Sequence, residues 1–129
     1  MKKITLLLLA CISITTMHAQ PGGGFQRQTP EQRAAVIHQK LDSAFKINGA
    51  KLSKLDSALI TLYKAQDARM QEIYSTGERP DRETMMAERK KYNDSRDQII
   101  KAAINEDQFK IWKEIIEPSM RPTRPNGGG

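Results

Sequence analysis

Ile104-Asn105-Glu106-Asp107-Gln108-Phe109 is written as a helix entrance. Asn105 is placed to cap the first free N–H groups. Gln108, three positions on, can return a bond to the cap backbone, and Ile104 and Phe109 flank the pair as a hydrophobic staple. Ile47-Asn48-Gly49-Ala50-Lys51-Leu52 repeats the staple and the cap, but Lys51 stands where the returning glutamine would be. Thr29-Pro30-Glu31-Gln32 has the box, with proline at the first helical position, and no apolar residue in front. Asp81, just after Gly77 and Pro80, is a further cap.

Helical stripes follow each entrance. The first helix carries Ala34, Ile37, Leu41, Ala44 and Phe45 at helical spacing. The second carries Leu52, Leu55, Leu59, Leu62, Met70 and Ile73, with Gln66 interrupting, and Gly77 stops it. The third places Met85, Arg89, Tyr92, Arg96, Ile99 and Ala103 on one face. The fourth holds Phe109, Trp112, Ile115 and Ile116, and Pro118 ends it. The second helix would run about 42 Å at 1.5 Å per residue, too long for a compact domain of this size. The expectation is an all-α elongated helical hairpin with short flanking helices. Its thin core and the polar interruptions Gln66, Arg89 and Arg96 favour a second copy along the long helix.

The chain has 129 residues, enough for one domain, and 5% of them are aromatic with no strand-like run, which argues against a sandwich or barrel. Residues 1–19 read as a signal peptide. Lys2 and Lys3 precede an apolar stretch from Ile4 to Ile14, and Ala19 sets a cleavage site before Gln20. Leu8-Leu9-Ala10-Cys11 resembles a lipobox. The short segment before it and the apolar residues after it make Cys11 a discarded signal residue rather than a lipid anchor. The exported chain then holds 19 basic and 15 acidic residues, net +4, with no cysteine and one histidine. Residues 20–28 read as a flexible leader, 29–117 as the helical domain, and 118–129 as a disordered basic Pro/Gly tail with Arg121 and Arg124. Export and modest charge disfavour nucleic acid as a partner.

His38 has Glu31 and Asp42 as its nearest carboxylates by helical spacing, and no second histidine or cysteine supports a metal site. No cofactor is expected. No nucleophile motif surrounds any serine, and the carboxylates alternate with lysine and arginine as on solvated helix faces. The reading is a binding protein rather than an enzyme. Met85 and Met86 are candidate contacts for a bound protein, because thioether chains fill irregular apolar gaps; the competing reading packs one of them and half exposes the other. Arg89 and Arg96, beside Lys90 and Lys91, are candidates for electrostatic capture, or members of an ordinary solvated face.

The pair of entrances resembles the LTxxQ motif of Spy/CpxP-like periplasmic proteins. Ile104, Asn105 and Gln108 stand at its Leu, Thr and Gln, and Ile47 and Asn48 at the first two positions of an earlier copy. Gly77-Glu78-Arg79-Pro80-Asp81-Arg82-Glu83 is similar to the turn between the long helices of that family. The resemblance implies a cradle-like antiparallel dimer and a periplasmic, ATP-independent chaperone for unfolded or stress-damaged envelope proteins. It also implies one alternative, a regulator of an envelope-stress sensor kinase; a metal-responsive adaptor stands as a further alternative that the resemblance does not carry over, since the ends hold Gly, Pro and Arg where metal-responsive relatives are rich in histidine.

Overall fold

The computed structural model describes residues 27–121, which are all-helical with no strand among them. The expected signal peptide with Cys11, most of the expected leader and tail residues 122–129 lie outside the described residues. Helix α1 spans Pro30–Phe45, α2 Gly49–Ser75, α3 Arg82–Ala103 and α4 Glu106–Ile111. A π-helical turn, Trp112–Ile116, and α5, Glu117–Ser119, continue α4.

Each entrance forms as its sequence dictates. Thr29 accepts from the Gln32 N–H, and Gln32 returns a bond to the Thr29 N–H at 2.9 Å. Asn105 and Gln108 make the same reciprocal pair. Asn48 caps through the Ala50 N–H at 2.7 Å, and with Lys51 in place of glutamine there is no reciprocal bond. Asp81 accepts from the Thr84 N–H, a bond that lowers its pKa below the ordinary value. Gly77, at φ 76°, turns the chain out of α2 in a conformation that other residues rarely adopt.

Successive helices run antiparallel. Arg33 and His38 of α1 meet Asp67 and Asp56 of α2. Arg69 and Ala65 of α2 meet Glu88 and Tyr92 of α3. Arg96 and Asp97 of α3 meet Glu117 and Lys113 of the terminal helix. The α2–α3 pair is therefore a long hairpin, α1 lies along the first part of α2, and the terminal helix folds back on α3.

The core sits at one end of this hairpin. Ala34, Ile37 and Leu41 of α1 meet Leu52, Leu55 and Leu59 of α2, with Ile100, Ala103, Ile104 and the fully buried Trp112. Beyond Leu59 and before Tyr92 neither long helix has a fully buried residue; α1 reaches along α2 only to about Asp67, leaving Ile60 and Tyr63 half-buried, and no other described helix covers the remainder.

Four expectations change. Ile100, not Ile99, is fully buried, since α3 turns Ile100 toward Trp112 and the α2 leucines and leaves Ile99 half-buried. Ala44 is exposed, because the α1 stripe ends with Leu41 and the half-buried Phe45. Ile115 is 63% exposed, because the π-helical turn rotates it off the stripe. Pro118 does not end the terminal helix. The turn before it is widened, with the Glu117 N–H bonded to the Trp112 carbonyl, and the ring that an α-helical turn would reject fits at the start of α5. Residues 118–120 thus belong to the fold rather than to the tail, and Met120 packs against the core.

Candidate functional site

The unfilled half of the hairpin forms a groove of about 470 Å³ between the entrance of α1, the second half of α2 and the first half of α3. Met70, Tyr74, Met85 and Tyr92 supply its apolar wall, and Arg33 and Arg89 its cations. The helical period brings these residues together. Met70 and Tyr74 are four apart on α2, as are Met85 and Arg89 on α3, and the antiparallel pairing aligns the two sets.

Arg33 organises the upper wall. Its guanidinium lies 4.5 Å from the centre of the Tyr63 ring and donates to Gln66 at 3.2 Å, and it is paired with Asp67. Burial raises the pKa of the Tyr63 phenol above its usual 10.0, opposed in part by the Arg96 and Arg33 charges. On the other side Arg69 bridges Glu72 and Glu88, each at 3.2 Å. Two groove residues keep buried atoms without a hydrogen-bond partner among the described residues: Nε of Arg33, a donor, and Oε2 of Glu88, an acceptor. The wall therefore mixes thioether and aromatic surface with cations and with polar atoms of both hydrogen-bonding senses. Such a lining suits an irregular polypeptide better than one rigid small molecule.

Of the predicted contact residues, the structure brings Met85 and Arg89 into this groove. Met86 is 59% exposed and is not part of the groove wall. Arg96 lies elsewhere, its side chain 15% exposed and engaged by Asp97 at 3.0 Å and Glu117 at 2.7 Å. Burial alone would lower the arginine's pKa, but the Glu117 and Asp97 bonds and charges outweigh it and raise the pKa. Its charge is spent holding the terminal helix, not offered to a ligand. The motif residues Ile47, Asn48, Ile104, Asn105, Gln108 and Phe109 serve helix entrances and core packing rather than the groove.

Tyr74, Met70, Arg33 and Glu88 were not singled out as contacts from the sequence. Their i, i+4 spacings are visible there, but only the antiparallel pairing turns them toward one cleft. His38 bonds Asp56 of α2 at 2.8 Å, rather than either carboxylate of its own helix. Among the described residues no group of three or more His, Cys, Asp or Glu is placed to hold a metal ion, and no helix is long and apolar enough to cross a membrane. Comparison with known proteins finds no family model, no curated protein and no solved structure that matches this chain.

Proposed function

We propose that this protein is an exported, ATP-independent binder of unfolded or stress-damaged envelope proteins, working as a homodimer. The observation that carries the reading is the groove at the uncovered half of the hairpin, where methionine and tyrosine side chains alternate with Arg33 and Arg89. Cations speed encounter with acidic or extended chains, and the adaptable thioethers retain them without demanding one shape. A second copy is proposed to cover the shallow apolar face made by Ala58, Leu62 and Ala65 of α2 with Ile99 of α3.

The test is dilution of guanidinium-denatured citrate synthase into buffer with and without the protein, followed by light scattering. A several-fold excess of the protein is expected to suppress scattering, and the double substitution Met85→Ser, Arg89→Ser to remove most of that effect while leaving the core end folded. Unchanged scattering at that excess would refute the binding role. Multi-angle scattering that reads a single-chain mass would refute the dimer.

A further inference from the structure

Four methionines lie among the described residues, and three of them sit at the uncovered half of the hairpin. Met70 comes from α2 and Met85 from α3; both line the groove and both are half-exposed. Met86, 59% exposed, follows Met85 but stands outside the groove wall. Met120 packs against the core at the opposite end. No cysteine occurs among the described residues, and the one tryptophan is fully buried. The thioethers of the uncovered half are therefore the reduced sulfur that a small oxidant meets first.

The groove also offers the oxidised form its partners. Arg89 lies one turn from Met85 on the same face of α3 and makes no ion pair among the described residues. Arg33 donates to Gln66, one turn before Met70 on α2, and keeps its Nε without a partner. A thioether sulfur is a weak hydrogen-bond acceptor. Oxidation makes the side chain polar, and its new oxygen is an acceptor that either guanidinium can serve.

We propose that Met70 and Met85 form a reversible oxidation site that switches the groove off. The site stands on the geometry of the groove, and its effect on a client rests on the binding reading. The oxidant is a peroxide. The thioether sulfur attacks one peroxide oxygen, the O–O bond breaks, an S–O bond forms, and the departing hydroxide takes up the proton and leaves as water. Sulfur gives up two electrons, and the peroxide gains them. Two of the four apolar side chains of the wall thereby become polar, and Arg33 and Arg89 bond the new oxygens, so apolar and cationic contacts with a client are lost together. A methionine sulfoxide reductase, drawing two electrons from a dithiol and releasing water, reverses the change. The core is built from other residues and keeps the fold in either state.

The experiment uses the protein as isolated from its host, treated with dilute hydrogen peroxide that catalase then removes. Peptide mass mapping is expected to find the added oxygen at Met70 and Met85 well before Met120, with Trp112 emission and helical circular dichroism unchanged. Oxidation of Met120 as fast as of the groove pair would overturn the site. Affinity for reduced, carboxymethylated α-lactalbumin, a chain that cannot refold, is expected to fall about tenfold on treatment, as apolar burial at two side chains is lost. It should return after incubation with methionine sulfoxide reductases for both epimers and dithiothreitol. The Met86→Leu variant should lose affinity on treatment as the parent does, whereas the double variant Met70→Leu, Met85→Leu should keep whatever affinity it starts with. Unchanged affinity of the oxidised parent, or a loss that persists in the double variant, would overturn the switch. If the untreated protein does not bind, the client reading is refuted, the switch falls with it, and the mass map alone decides the oxidation site.

Discussion

Asn105 closes both halves of a capping box, its Oδ1 accepting from the Gln108 N–H at 2.8 Å and its own N–H donating to Gln108 Oε1 at 3.1 Å. It starts the helix that delivers Trp112 to the core, only seven positions later. Replacing it with alanine should cost about 1 kcal/mol, the usual loss for a removed N-cap. Trp112 is the only tryptophan and is fully buried, so its emission reports unfolding directly. A urea curve of Asn105→Ala that matches the parent would contradict the assignment. Asn48, with a single cap bond, should be less sensitive than Asn105. Lys46 shows the opposite local economy. It ends α1 at φ 50° with its N–H on the Asp42 carbonyl, a left-handed position held by a residue that has no intrinsic preference for it.

The terminal helix is held to α3 by a polar cluster beside the apolar packing of Trp112. Arg96 and Lys113 share Asp97 and Glu117, with the Arg96 guanidinium 2.7 Å from Glu117. Burial would raise the pKa of Glu117, but the hydrogen bonds and charges of Lys113 and Arg96 overcome it and hold the carboxyl below its ordinary 4.5. A carboxylate whose folded pKa is depressed contributes stability that is present above its unfolded pKa and is lost as pH falls through the folded one. The docking of α4, the π-helical turn and α5 should therefore hold from neutral pH down to about 4.5 and weaken progressively below it. Circular dichroism melts across that range should show the decline. In Glu117→Gln the melting temperature should be lower at neutral pH and the acid decline shallower, because the group that titrates is gone. An acid decline identical to that of the parent would place its origin elsewhere.

In the molecule as a whole, burial is uneven along the hairpin. Every fully buried large side chain lies at the end where α1 and the terminal helix meet α2 and α3. The other half is held by two helices, the Arg69–Glu88 ion pair and the Tyr92 hydroxyl bonded to the Ala65 carbonyl at 3.4 Å. Exposed ion pairs contribute little each, and stability follows buried apolar contact. Amide hydrogen exchange should therefore be slow at Leu55, Leu59 and Ile100, and faster by one or more orders of magnitude at Met70, Tyr74 and Met85. Uniform protection along α2 would contradict this gradient. The less supported half is also the half that carries the groove.

Helix entrances were legible because their signals are short-range. Thr29 with Gln32, Asn105 with Gln108, Asp81 with Thr84 and the stop at Gly77 each act within three or four residues, so neighbours in the chain suffice to set them. The all-helical class follows from the same patterns. What depended on the folded chain were the contacts between residues far apart in sequence. Periodicity marks a face but cannot say how many turns of it find a partner, so α2 alone does not reveal that full burial stops after Leu59. Nor does α3 alone reveal that Ile100 rather than Ile99 faces Trp112. Arg96 reads as a free cation until Glu117, 21 positions on, folds back to meet it. His38 finds Asp56 across a helix boundary for the same reason. Hydrogen bonds at a cap are paid for locally, whereas side-chain burial and ion pairing are settled by which helices the packing brings side by side.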